Sequence, residues 1–195
     1  MRFAQALTNL DLKTLVDLGL PAPVKLAGGA EFRSDNYRIS AGQPESYTDG
    51  GVRILDGPAA GAVATVGAQG FGGIQPRDAV KADRDSYAFY AEAETDLTAR
   101  LRVSAAVRFE DYSDFGTTLN GKLAGRLELG AGLAARASVS SGFHAPALQQ
   151  QYFGSTPSRT DPNTNTIILA RLFPVGDPAA RALGATKLDP EESVN

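Results

Sequence analysis

The chain has 195 residues, a formal net charge of -3, 21 glycines, and neither cysteine nor tryptophan. Without cysteine there is no disulfide and no thiolate metal site, and the dispersed Lys and Arg residues leave no electrostatic footprint for nucleic acid. No apolar run reaches the roughly 18 residues of a transmembrane helix, while a mean hydropathy of -0.17 is compatible with a membrane barrel, where half of each spanning strand is polar.

The opening stretch, MRFAQALTNLDLKTL, has no charged n-region followed by an apolar h-region and does not read as a signal peptide. Period-2 alternation, the mark of a strand with two unlike faces, then recurs along the chain. It is weak over residues 6–18, where Leu10, Leu12, Val16 and Leu18 share a face. Over 24–33 it sets Val24, Leu26, Gly28, Ala30 and Phe32 against Lys25, Ala27, Gly29, Glu31 and Arg33, and a change of parity is expected near Asp35 because Tyr37 and Ile39 are odd-numbered. Residues 43–83 read as a long Gly- and Pro-rich loop. Strands follow at 86–95, with Tyr87, Phe89, Ala91 and Ala93 on one face, and at 101–110, with Leu101, Val103, Ala105, Val107 and Phe109 opposite Arg102, Ser104, Arg108 and Glu110. Two more run over 119–129 (Leu119, Leu123, Leu127 against Asn120, Lys122, Arg126, Glu128) and 133–143 (Leu133, Ala135, Ala137, Val139, Phe143 against Arg136, Ser138, Ser140). Residues 147–187 form a second long loop. The hairpin 86–110 is expected to pair Phe89 with Val107 and Glu94 with Arg102, and the next to set Glu128 against Arg136, since opposite charges across a pair help.

Alternation alone does not say which face is inside. A soluble sandwich hides its apolar face in a core, whereas a membrane barrel turns it to lipid. Three features favour lipid. Short connections (19–23, 96–100, 130–132) alternate with longer ones (43–83, 113–118, 147–187), as in outer-membrane barrels. Phe32, Tyr37, Tyr87, Phe89, Tyr90, Phe109, Tyr112 and Phe143 fall at the long-loop end, as a membrane interface favours. The mid-strand apolar positions are small, where a packed core about 10 Å thick needs bulk.

The stretches EDYSDFGTTLNGKLAGR and SVSSGFHAPALQQQYF resemble the barrel portion of TonB-dependent outer-membrane receptors. A strand of that family commonly ends in Gly-Phe-Arg-Ala-Pro. Here Gly142, Phe143, His144, Ala145 and Pro146 match it, with His144 where arginine is usual. The family's Leu-x-Pro-Glu signature, which opens the next strand, is matched by Leu188, Pro190 and Glu191. GAQGFGG and RDSYAFYAEAETDLT also look like a receptor loop and its returning strand. The resemblance implies an all-β antiparallel meander, a partial transmembrane barrel of about six strands and the start of a seventh, against about 22 in such transporters. No plug or signal peptide is recognisable, so the whole of 1–195 reads as an internal piece of a receptor barrel. It further implies outer-membrane lipid, a plug domain, the rest of the barrel and the TonB complex as partners, and the outer membrane of a Gram-negative bacterium as the location. The function implied is active import of a scarce, bulky solute, an iron–siderophore or similar metal chelate, without cofactor or covalent chemistry. A soluble ligand-binding module, with Tyr47, Phe71, Tyr152 and Phe173 as platforms, and a passive porin-like barrel are the alternatives.

Arg102, Arg108, Glu110, Lys122, Arg126 and Arg136 are expected on the lumen-facing side. Mixed signs there suit a cross-strand charge ladder better than an electrostatic lining for an anion. His144 stands without the companion ligands a metal site needs. Glu92 and Glu94 share a face but lack a nearby nucleophile or histidine, so no catalytic residue is assigned. GAQGFGG lacks the Lys-Ser/Thr and following helix of a phosphate loop.

Overall fold

The computed structural model describes residues 1–68, 72–161, 164 and 166–195. Gln69, Gly70 and Phe71 of the GAQGFGG stretch lie outside the described residues. Within them the chain forms β1 (Arg2–Val16), β2 (Val24–Ile39), β3 (Val80–Thr98), β4 (Leu101–Tyr112), β5 (Gly116–Gly130), β6 (Leu133–His144), α1 (Leu148–Tyr152), β7 (Ser158–Thr160), β8 (Ile167–Leu169), α2 (Pro178–Ala182) and β9 (Glu191–Val194). Strands β1 to β6 and then β9 make one seven-stranded sheet in that order, and β7 and β8 form a separate hairpin. The order follows the chain, as an up-and-down meander requires. The first six strands are 12 to 19 residues long, beyond the 9–11 or so that a tilted spanning strand needs.

The chain divides into two compact units. A strand unit comprises Gln5–Asp35, Arg84–Pro146 and Asp189–Asn195, and a loop unit comprises Met1–Ala4, Asn36–Asp83 and Ala147–Leu188. In the strand unit the usual burial order is reversed. Phe89 is 57% exposed, Leu119 68% and Val139 52%, whereas the side chains of Glu31 and Glu110 on the other face are 18% and 13% exposed. A sandwich would have covered the leucines with a second layer, and among the described residues none does so. On the apolar face Phe32 and Tyr87 meet at 5.0 Å between ring centroids, and Phe89 stands opposite Phe109.

The registers differ from those expected. In β3–β4 the partner of Phe89 is Phe109, that of Ala91 is Val107, and that of Arg102 is Asp96 rather than Glu94. Each partner is displaced by two residues, so every side chain keeps its face. The turn sets this displacement. The Thr98 hydroxyl accepts the backbone N–H groups of Arg100 and Leu101 at 3.2 and 3.0 Å, closing the chain around residues 99–100, with an irregularity between Asp96 and Thr98. In β5–β6, Arg136 faces Arg126 and Glu128 faces Ala134. There Gly130, Ala131 and Gly132 all have positive φ (93°, 51° and 80°), a backbone that glycine adopts readily.

The other departures have local causes. β2 runs unbroken through Asp35, and the expected change of parity is a change of surroundings. The odd-numbered face is charged at Glu31 and Arg33, while Tyr37 and Ile39 are buried in the loop unit. β3 begins at Val80 because Ala82, Arg84, Ser86 and Ala88 form a buried face that includes a charge. The first long connection is therefore 40–79. Phe143, expected on the apolar face, instead meets Tyr112 at 5.7 Å and Phe115 at 5.6 Å. The β5–β6 ladder stops at Ser140, and the Gly121 N–H donates to the Ser141 hydroxyl at 3.0 Å.

The loop unit has its own small core of Tyr37, Ile39, Ala82 and Leu148, flanked by Ile74, Val80, Tyr152 and Phe153. Its second long segment carries α1, the β7–β8 hairpin and α2 where only loop was expected. The full chain is expected to require detergent for solubility, because its sheet exposes an apolar face and open strand edges. Sedimentation will check this; a monodisperse monomer in plain buffer with a cooperative melt would contradict the face assignment.

Candidate functional site

The strand unit gathers its charges on the face away from the exposed leucines. Arg102, Arg108 and Glu110 alternate along β4 with Val103, Val107 and Phe109, Lys122 and Arg126 lie on the same side of β5, and Arg136 is placed there on β6 by its pairing with Arg126. Arg108 reaches Glu110 on its own strand at 2.9 Å and Glu31 of β2 at 3.4 Å, passing over β3. Glu31 also receives Arg33 at 2.9 Å, and Lys25 meets Glu94 at 3.0 Å. The Tyr90 hydroxyl donates to Asp11 of β1. Its ring crosses Gly29, where a Cβ would come within 2.6 Å of Tyr90 Cε1 and 2.4 Å of the Leu10 carbonyl oxygen. Glycine at 29 is thus what lets the tyrosine span the intervening strand.

The two sequence motifs, more than 40 residues apart in the chain, become neighbours. Gly142 pairs with Ser193, Phe143 with Glu192 and His144 with Glu191 across β6–β9. A Cβ at 142 would lie 2.6 Å from the Ser193 hydroxyl and force it aside. The His144 side chain is exposed. The Pro146 carbonyl accepts a hydrogen bond from Arg84 at 2.8 Å. Arg84, with its side chain 6% exposed, also forms a forked pair with Asp114 at 2.7 and 3.0 Å and lies 5.1 Å from the Phe115 ring centroid. Tyr112 stacks on Phe115 at 4.3 Å. One buried guanidinium therefore holds the turn at 113–115 and the exit of the Gly-Phe-His-Ala-Pro motif together. Neither Arg84 nor Asp114 stands out in the sequence. The available signal is a basic residue at every-second spacing with Ala82, Ser86 and Ala88.

In the loop unit, Arg171 bonds Asp78 and Asp177, each at 3.3 Å, and its guanidinium lies over Phe173 at 4.8 Å. Beside it Gln149, Gln150, Phe153, Leu172 and Phe173 line a depression of about 360 Å³. Amide groups among aromatic and aliphatic walls suit a ligand of mixed polarity.

Residues 3–195 match the family described as TonB dependent receptor-like, beta-barrel. The chain belongs to this family. Among solved structures it is similar to the siderophore receptor PirA from Acinetobacter baumannii, with a TM-score of 0.59 and 17% sequence identity over 98% of this chain and 24% of that one. The chain thus spans about a quarter of that receptor's length, and at this identity the likeness speaks for the fold. No curated protein matches it. The receptor-barrel family places the chain in the outer membrane of a Gram-negative bacterium, and its members are transport receptors rather than enzymes. The soluble-module alternative is thereby set aside, in keeping with the uncovered apolar face.

Within the receptor barrel, the Arg84 knot is the most enclosed ionic group of the strand unit. Arg84→Ala leaves Asp114 without its forked partner and the Pro146 carbonyl without a donor, and is expected to cost about 3–5 kcal/mol. Urea unfolding of the chain in lipid vesicles, followed by tyrosine fluorescence, will measure it. A loss under about 1 kcal/mol would show that water replaces the guanidinium.

Proposed function

We propose that the chain is wall and loop of a receptor that captures a scarce, bulky solute at the cell surface and imports it across the outer membrane in a TonB-dependent way. An iron–siderophore complex is the solute this reading favours. The match of residues 3–195 to the receptor family is the observation that carries it. PirA is a siderophore receptor, and the likeness of fold to it supports the choice of solute, as does the mixed-polarity depression of the loop unit. In this reading the connections predicted at 43–83 and 147–187 face the exterior and supply ligand contacts. A plug domain and further strands complete the pore, and TonB rearranges the plug at the expense of the inner-membrane proton gradient. Arg102, Arg108, Glu110, Lys122, Arg126 and Arg136 line the lumen. Gly142, Phe143, His144, Ala145, Pro146, Leu188, Pro190 and Glu191 shape the wall at the root of the second loop.

Growth of a strain deleted for the whole locus, supplied with single siderophores as the sole iron source, tests this reading. Loss of growth on one siderophore, restored by the intact gene but not in a strain lacking TonB, is the expected result. Growth unchanged on every siderophore offered would refute the iron reading.

The membrane orientation has a separate check. A fluorophore at Ala105 is expected to be quenched by brominated acyl chains, and one at Ser104 by a water-soluble quencher, because neighbouring strand positions point to opposite faces. Ala105→Arg should destabilise the membrane-inserted protein by about 2–4 kcal/mol, while Ser104→Arg should be mild. Equal quenching at the two positions would mean that the apolar face does not meet lipid.

A further inference from the structure

The depression of the loop unit has walls from two segments that are fastened to each other. Ser155 and Leu172 exchange backbone hydrogen bonds at 2.8 and 3.3 Å. Gly154 lets the segments close, since a Cβ there would lie 3.2 Å from Pro174 Cδ. The backbone thus sets the space between Gln149, Gln150 and Phe153 on one segment and Leu172 and Phe173 on the other. Among the described residues no acid or base lines it. Arg171, next to it in the chain, is committed at every nitrogen. Its Nε donates to Asp78 Oδ1 at 3.3 Å, its Nη1 meets Asp177 Oδ2 at 3.3 Å, and its Nη2 donates to the Arg77 carbonyl at 3.4 Å. The Asp78 side chain is 0% exposed, so releasing the guanidinium would strand a buried carboxylate. What Arg171 gives the depression is a fixed wall, because its guanidinium lies over the Phe173 ring. The polar groups left at the rim are amides. Gln150 Oε1 accepts the Ala147 N–H at 2.7 Å, which leaves its NH2 to donate, and the exposed Gln149 adds a second amide.

We propose that this depression takes an uncharged, ring-bearing part of a solute whose carbonyl or hydroxyl oxygen meets the glutamine amides. Arg171 is then a positioning residue that holds Phe173, not a contact for an anion. A carboxylate or phosphate would leave water to meet neutral amides, beside two carboxylates answered by one guanidinium, and its desolvation would go uncompensated. An uncharged amide gives up little hydration, and its ring gains contact with Phe153 and Phe173. The inference rests on the reading of the loop unit as the part that captures solute, and it narrows the captured portion to an uncharged one. Growth on a siderophore with no such preference in the depression would sink this inference alone. The preference together with unchanged growth on every siderophore would sink only the iron reading.

Benzamide, benzoate and benzamidinium share one shape and are neutral, anionic and cationic. The chain has no cysteine, so Ala147→Cys offers a single attachment point for a trifluoromethyl label at the rim. Fluorine NMR of the labelled full chain in lipid nanodiscs then reads binding of each probe. Benzamide is expected to bind at least fivefold more tightly than either ion. Phe173→Ala should weaken benzamide at least fivefold. Arg171→Gln should weaken benzamide and benzoate alike, whereas loss of benzoate alone would make Arg171 an anion contact and overturn its positioning role. Gln149→Arg, at an exposed position of the rim, should tighten benzoate at least fivefold and so tests the site without disturbing the fold. Leu183→Arg, which adds the same charge at a position 84% exposed and outside the depression, should change benzoate less than twofold. Benzoate bound as tightly as benzamide by the parent, no response to benzamide, or equal gains in the two arginine variants would overturn the proposal.

Discussion

The constraint on which the rest depends is that a backbone in hydrocarbon must satisfy its own hydrogen bonds. Water is not there to do it, and each orphaned N–H or C=O costs several kcal/mol. A strand in that setting needs a neighbour on both sides. A meander with tight turns provides them one after another, and β1 through β6 and β9 follow that plan. With the backbone paired within the sheet, side chains are free to divide by face. Phe89, Leu119, Leu123 and Val139 are left exposed and uncovered, while the acids and bases of the other face shield one another. The exposure that would be a fault in a soluble protein is here the surface that lipid covers, and the small mid-strand residues suit it because acyl chains conform to them.

The faces survive errors that would spoil a pairing scheme. Both hairpins are displaced by two residues from the register that charge complementarity suggests, and neither displacement moves a side chain to the other face. Energies explain the priority. A favourable cross-strand charge pair contributes roughly 0.2–1 kcal/mol. Turning a strand over would put a whole series of leucines in water and charges in lipid, at about 2–4 kcal/mol for a basic residue near the membrane midplane. Parity is thus fixed by many residues acting together. The choice among registers of equal parity falls to the turn: the Thr98 hydroxyl in one hairpin, and the run of positive φ from Gly130 to Gly132 in the other.

This division also explains what is legible in the sequence. Period-2 alternation locates the six long strands and sorts Arg102, Arg108, Glu110, Lys122, Arg126 and Arg136 onto one face, because alternation is a property of each strand by itself. The start of β3 is not legible. Arg84 is buried there only because Asp114 and the Pro146 carbonyl come to meet it, from 30 and 62 residues away. The unbroken course of β2 is hidden because the loop unit supplies an apolar setting for Tyr37 and Ile39 that no local pattern announces. The β7–β8 hairpin is hidden by its brevity, since three residues do not establish a period. In each case the deciding partner is distant in sequence or the segment is too short for alternation to speak.

The consequence for function lies in the charges. Acids and bases are nearly in balance over the chain, which argues for a neutral ladder. Balance over the chain does not imply balance at a position, because the turns decide which charges stand side by side. Moving β6 by two residues against β5 exchanges a Glu128–Arg136 pair for an Arg126–Arg136 pair without altering a single residue. The electrostatic character of the polar face is therefore encoded in the short turns at the strand ends as much as in the charged residues themselves. Residues 130–132 carry no side-chain charge, yet through the register they set which arginines of β5 and β6 stand side by side.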